Sequence, residues 1–252
     1  VNIRTNGKSS WEAKNSEDDI DRVLSTISYA AAQTEYFNNP QTEGRVFKKL
    51  NWGKVPPLRE MEQIIVYADP SPSNADVKNN SYKVVALLGR KDGVTYVIKV
   101  FCEQTTNAKF VQWFYDIYEL TKGLQVYYYI ENNSLQNPFY EQVFIPLFKE
   151  IGRAKGYIVP IRPDTRKKPE KFTRIEGTLE PANRLGLLVF NELEKDNQHM
   201  QTVVEQFGVV SPSYKGAIDA PDCIEGGYKI LDENLARRQG TYRTQRRASR
   251  RY

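Results

Sequence analysis

The chain has 252 residues, 40% hydrophobic and 27% charged, with a formal net charge of +5, enough for one or two domains with a sizeable core. No apolar run reaches the roughly 18–20 residues a membrane helix needs, and no signal peptide opens the chain, so no membrane partner is expected. A single histidine (His199) and two cysteines outside any CxxC pattern (Cys102, Cys223) argue against zinc and against a disulfide scaffold.

The compartment expected from these thiols is the reducing cytoplasm. Any metal would be held by carboxylates, which suit Mg²⁺ or Mn²⁺. The chain opens on Val1 rather than Met, so a piece of something longer is expected.

Ser16 and Asp19 form a capping-box variant before Ile20, Val23, Leu24, Ile27 and Ala31, which predicts a helix near residues 17–35. The turn-rich stretch from Tyr36 to Pro57 reads as a linker. From Glu62 the pattern becomes β. Ile64 to Ala68 is a short apolar run that stops at Asp69-Pro70. Tyr82–Gly89 and Val94–Cys102 flank Asp92-Gly93, a hairpin signal. A helix at about Ala108–Lys122 is stopped by Gly123. A strand covers Leu124–Ile130, ending at Glu131. Asn137-Pro138 open a helix to Gly152, bent at Pro146.

A short strand at Tyr157–Val159 comes next, then a basic helix near 168–178 and a strand at Leu187–Phe190. Helices near 197–207 and 220–235 complete the order. Strands joined by a hairpin, followed by strands alternating with helices, imply an α/β domain with a mixed central sheet flanked by helices. The domain expected spans about 61–235, after a helical arm and linker over 1–60 and before a basic tail over 236–252.

The charge is segregated. Arg237 to Tyr252 holds seven arginines, including Arg237 and Arg238, and no acid; without it the chain is at −2. Arg162 to Glu176 is at +3, through Arg162, Arg166, Lys167, Lys168, Lys171 and Arg174. Arginine-rich segments suit phosphate backbones; a solvated tail is the plainer alternative. Lys171 and Arg174, at i,i+3, face phosphates or form an ordinary solvated face. The aromatic-rich YYY and QWFYDIY runs read as core packing, and His199 as a surface residue.

Asp69 and Glu131 are each the first acid after an apolar strand, at the sheet edge where ligands bind in α/β folds, although an aspartate there also begins turns. Asp219 and Asp222 lie about 150° from the stripe Ile224, Tyr228, Leu231 and Leu235 on a helical wheel, on its exposed side. They face a cleft, or complement the helix dipole with Asp219 as N-cap. Three carboxylates without histidine are what a pair of hard divalent ions needs for in-line attack on a phosphodiester. Gly7-Lys8-Ser9 lacks the upstream glycine and the strand of a phosphate loop.

These motifs, in this order, resemble the C-terminal nuclease region of a tailed-phage terminase large subunit. YFNNPQTEGRVFKK (Tyr36 to Lys49) resembles the segment joining ATPase to nuclease, and VYADPSPS (Val66 to Ser73) and YYIENN (Tyr128 to Asn133) resemble the two catalytic strands. KFTRIEGTLEPANRLGLLVF (Lys171 to Phe190) resembles the Lys/Arg-bearing helix and the strand after it, and IDAPDCIEGG (Ile218 to Gly227) the closing acidic helix. The resemblance covers most of residues 20–235. It implies a ribonuclease H-like fold and a two-metal endonuclease, with Asp69, Glu131 and Asp219 catalytic and metal-binding, and Asp222 behind Asp219.

The family often has His-Asp-Asp where this chain has Ala217-Ile218-Asp219, so reduced or Mn²⁺-dependent activity is implied. The implied partners are double-stranded DNA, the portal protein and the small terminase subunit, in a bacterial cytoplasm with transient docking on the procapsid. A resolvase- or transposase-like nuclease of the same fold is the alternative enzyme, though the Tyr36–Lys49 segment argues against it. A DNA- or portal-docking module with a decayed site is the alternative non-enzyme.

Overall fold

In the computed structural model the residues described are 2–5, 8–27, 32, 35–38, 46–70, 81–132 and 140–248, those beyond 234 in backbone only. A two-residue ladder, Arg4–Thr5 with Lys8–Ser9, stands apart from the main sheet. The sheet strands in chain order are β1 (Asn51–Gly53), β2 (Gln63–Asp69), β3 (Lys83–Lys91), β4 (Val94–Glu103), β5 (Val126–Glu131), β6 (Ile161–Asp164) and β7 (Leu188–Asn191). The helices are α1 (Glu17–Thr26), α2 (Asn107–Leu120), α3 (Ile145–Lys155), α4 (Lys171–Arg184), α5 (Gln198–Val209) and α6 (Asp219–Ala248).

The apolar runs of β2 and β3 are continuous rather than alternating, as strands covered on both faces require. They pair antiparallel, Ile65 opposite Leu88. The next turn carries positive φ at Asp92 (51°) and Gly93 (78°), the geometry that Asp-Gly favours between hairpin strands, and it returns β4 antiparallel to β3. β5 adds parallel to β2, Ala68 opposite Ile130, and β6 parallel to β5, Glu131 opposite Asp164. On the other side β7 adds parallel to β4 and β1 parallel to β7. The order is β1-β7-β4-β3-β2-β5-β6, a mixed seven-stranded sheet.

On one face Ile64, Val66, Val85 and Leu87 pack on Phe110, Phe114 and Ile117 of α2 and Phe148 of α3. On the other, Ile65, Tyr67, Val84 and Leu88 meet Ile175 and Leu179 of α4, Met200 and Phe207 of α5, and Cys223, Ile224 and Leu231 of α6. The aromatic residues of the QWFYDIY run are core side chains, as read from the sequence: Trp113, Phe114 and Tyr115 are buried.

Helix α6 lies close to the sheet because two glycines face it. A Cβ at Gly226 would stand 2.6 Å from Cε1 of Tyr67, and one at Gly227 would stand 2.5 Å from Cδ1 of Leu88. The Tyr67 ring cannot swing aside freely, because its hydroxyl donates to Asp164 at 2.7 Å. Gly226→Ala is therefore expected to destabilise the fold by about 1–3 kcal/mol in urea titrations, although alanine favours helix by about 1 kcal/mol. A neutral or stabilising result would mean that α6 can lift from the sheet without loss.

Several elements depart from the sequence reading. Helix α1 ends at Thr26 rather than near 35. Ser25 and Thr26 hydroxyls bond back to the Arg22 and Val23 carbonyls, and Ile27 is extended, the local competition that ends helices at such residues. Residues 28–31 lie outside the described set. The expected linker contains β1, and Phe47 within it is buried; residues 39–45 are outside the described set.

The helix expected to Gly152 runs to Lys155: a π-helical segment over Tyr140–Phe144 leads directly into α3, with Pro146 at the junction, where a π segment accommodates a proline's missing N–H. The strand expected at Tyr157–Val159 forms instead at Ile161–Asp164, an edge strand that tolerates Pro163. Helix α4 passes Pro181 to reach Arg184. The backbone of α6 continues to Ala248, so the stretch expected as a tail from 236 begins as helix.

Candidate active site

Strand parity puts three acids on one face of the sheet. Ile65 and Tyr67 of β2 point toward α6, so Asp69, two residues on, shares their face. The Ala68–Ile130 register brings Asp69 and Glu131 to neighbouring ends of parallel strands, and Asp164 follows beside Glu131 on β6. These are carboxyl ends of parallel strands, the edge at which α/β sheets bind ligands. The first two turns of α6 bring Asp219, Asp222 and Glu225, spaced three residues apart. Asp69 is half-buried; the other five acids are between 3% and 9% exposed.

So many buried carboxylates require cations, and α4 with the loop before it supplies them. Lys168 Nζ bonds Oε2 of Glu131. Lys171 Nζ lies 2.7 Å from Oδ1 of Asp219 and 3.3 Å from Oδ2 of Asp222. Arg174 bridges Asp222 and, at 2.6 Å, Glu225. Arg166 holds Asp164 at 2.8 Å and Glu233 at 2.8 Å. Burial alone would raise Asp164, but hydrogen bonds from Arg166 and the Tyr67 hydroxyl, with the Arg166 charge, hold it below the usual carboxylate range.

Asp69 makes no ion pair among the described residues. Burial first, then the charges of Glu131, Asp222 and Asp219, push its carboxyl well above the usual range, and Lys171 offsets this only in part. Burial and the same acidic surroundings push the Tyr67 phenol up, keeping it a neutral donor to Asp164. Lys83, buried at the start of β3, is brought down to about 8 by burial, with Asp69 opposing.

The wheel reading placed Asp219 and Asp222 on an exposed side of the helix. The structure buries both, because α6 is sandwiched between the sheet and α4. Asp219 is the first residue of α6, and its two oxygens accept from the Lys171 ammonium and, at 2.8 Å, from the Tyr82 backbone N–H.

The basic set divides. Arg162 is exposed, over the Tyr127 ring at 5.2 Å, and Lys167 is exposed. Lys168, Lys171, Arg166 and Arg174 stand on carboxylates; Arg174 is neither on a solvated face nor aimed outward. The side chains of Arg237 and Arg238 lie outside those described, as do Ser71 to Ser73 of the VYADPSPS motif. His199, expected at the surface, is half-buried, edge-on to Phe101 and Trp113 at 5.4 and 5.6 Å, with Nδ1 against the backbone of Cys102, 3.3 Å from its nitrogen and 3.1 Å from its oxygen.

Asp164, Glu225, Tyr67 and Lys83 were not singled out from the sequence. Asp164 obeys the strand-end rule that marked Asp69 and Glu131, and Glu225 continues the three-residue spacing of Asp219 and Asp222.

As donors, these carboxylates suit a hard divalent cation, which prefers oxygen. The mutual repulsion at Asp69 is what a cation relieves. As they stand, no three acidic, histidine or cysteine side chains among the described residues group closely enough to hold an ion.

The mixed sheet with helices on both faces defines the class: an α/β, ribonuclease H-like fold. A solved terminase structure shares it. The P22 large terminase nuclease domain is similar at 14% identity over 75% of this chain and 93% of that one, TM-score 0.50. At that identity the shared property is the fold. The human cytomegalovirus terminase nuclease domain, Mn soaked and inhibitor bound, matches at 12% identity over 68% of this chain and 83% of that one, TM-score 0.49.

The large terminase of a thermophilic bacteriophage matches at 12% over 82% of this chain and 46% of that one, TM-score 0.46; the chain thus spans about half the length of that terminase. No family model and no curated protein matches the sequence. No helix among the described residues is long and apolar enough to cross a membrane.

Proposed function

We propose that this chain is the nuclease part of a phage DNA-packaging terminase, a metal-dependent endonuclease that cuts concatemeric double-stranded DNA. The observation that carries this reading is that Asp69 and Glu131, at adjacent parallel strand ends, lie near enough to Asp219 and Asp222 at the start of α6 for their charges to oppose one another. Asp69, Glu131 and Asp219 are the proposed metal ligands, with Asp222 behind them. Two bound Mg²⁺ or Mn²⁺ ions would supply an activated water and stabilisation of the leaving oxygen.

The chain's own groups do the rest. The Tyr82 N–H fixes one oxygen of Asp219. Tyr67 and Arg166 fix Asp164 beside Glu131. Arg162 and Lys167 are free to meet phosphates from the solvent side, and Arg237 and Arg238 extend the basic surface in this proposal. Residues 1–60 are proposed as an arm trailing from an ATPase domain, 61–235 as the nuclease domain and 236–252 as the basic tail. The proposed partners are DNA, the portal protein and the small terminase subunit, in a host cytoplasm and transiently at the procapsid.

Supercoiled plasmid incubated with the protein and Mn²⁺ or Mg²⁺ is expected to appear as nicked and linear forms. Asp69→Ala and Glu131→Ala are expected to abolish this while the proteins stay folded by circular dichroism. Equal behaviour of wild type and variants would reject the enzyme. A second reading, a docking module with a decayed site, is favoured by one observation: the carboxylates are held by cationic side chains and form no ready cage. It predicts DNA binding without cleavage in either metal.

A further inference from the structure

Lysine and arginine are used differently around the carboxylates. Arg174 is 8% exposed and bridges two acids, a fixed fork in a closed setting. Lys168 and Lys171 are 14% and 34% exposed, and each reaches the acids through a flexible stem ending in a single ammonium. Lys171 covers only one oxygen of Asp219; the other stays with the Tyr82 N–H whether the lysine is present or not. Beside Lys168 is an open cleft of about 400 Å³, lined among others by Lys167, Lys168, Thr173, Arg174, Thr178 and Lys229. Its basic side chains outnumber its two acids, Glu225 and Glu233, so it suits a phosphate, and a phosphate held there offers a released Lys168 ammonium a new partner.

We infer that Lys168 and Lys171 are exchangeable counter-ions: they hold Glu131 and Asp219 while the site lacks metal and leave these carboxylates when divalent cations load, Lys168 passing to a phosphate of the bound strand in the neighbouring cleft. This rests on the nuclease reading above. A divalent ion that takes the Glu131 oxygen held by Lys168, or the Asp219 oxygen held by Lys171, competes with that ammonium for the same lone pairs, so ion loading and lysine release are coupled. By linkage, metal then strengthens the hold on DNA and DNA strengthens the hold on metal. The lysines serve as positioning residues, keeping mutually repelling acids together until the ions arrive.

Titration calorimetry with Mn²⁺ on wild type, Lys168→Gln and Lys171→Gln tests this. Removing an ammonium that competes at contact distance is expected to tighten Mn²⁺ binding by about tenfold or more. A second measurement needs no variant: amine acylation of wild type, read by mass spectrometry, with and without Mn²⁺. Labelling of Lys168 and Lys171 is expected to rise severalfold with Mn²⁺, while Lys99, paired with Glu194 at 2.9 Å, stays constant. Folded variants that bind Mn²⁺ equally or more weakly, or labelling that does not rise, overturn the exchange and leave the nuclease reading standing. No Mn²⁺ binding by wild type or either variant overturns both.

Discussion

Asp69→Asn is expected to remove DNA cleavage, by a factor on the order of 10³ or more, and at the same time to make the metal-free protein more stable. Both effects have one cause. Asp69 is placed among Glu131, Asp219 and Asp222 without an ion pair among the described residues, so its folded-state pKa stands above its unfolded value. The native state then keeps its proton longer than the unfolded chain does, and raising pH through that interval favours unfolding. An isosteric amide carries no charge to repel and is expected to gain about 0.5–2 kcal/mol at neutral pH.

The gain should grow as pH rises from about 4 upward, because Asp69 in the wild type is ionised progressively. Thermal melts of both proteins across that range, without divalent ions, measure it. If Asp69 were an ordinary turn residue, the substitution would leave cleavage intact and its effect on stability would not follow pH in this way.

Arg174→Met is expected to cost about 3–5 kcal/mol, the usual effect of removing one partner from a buried charge cluster. Asp222 and Glu225 would stay behind, buried, with only Lys171 near Asp222. Adding Glu225→Gln to this variant should recover part of the loss, since one of the stranded charges is then gone. Urea midpoints of the single and double variants give the comparison. A cost below about 1 kcal/mol for the single variant would place Arg174 with screened surface pairs instead.

Sheet strands and their turns were legible because their signals are local. The apolar runs of β2 and β3, and the Asp92-Gly93 turn with its positive φ angles, need no knowledge of distant residues. The strand-end acids Asp69 and Glu131 were legible for the same reason. What escaped depends on partners far along the chain. Lys171 meets Asp219 across 48 residues and Arg174 meets Glu225 across 51, so a helical wheel drawn on either helix alone shows only charged faces.

For Asp219 and Asp222 the wheel assumed one covered side, whereas α6 is covered by the sheet on one side and by α4 on another. β1 is three residues long and gains its strand form only by pairing with β7, Trp52 opposite Phe190. Asp164 was hidden by Pro163, which argues against a strand unless that strand lies at an edge.

A metal-dependent nuclease requires that Asp69, Glu131 and Asp219 hold divalent ions. Crystals of the protein soaked in Mn²⁺ and measured at the manganese absorption edge test it most directly. Anomalous density is expected in contact with these three carboxylates, with the Lys168 and Lys171 ammonium groups moved away from Glu131 and Asp219. Anomalous density absent from this cluster, with both lysines still on their carboxylates at saturating Mn²⁺, would contradict it.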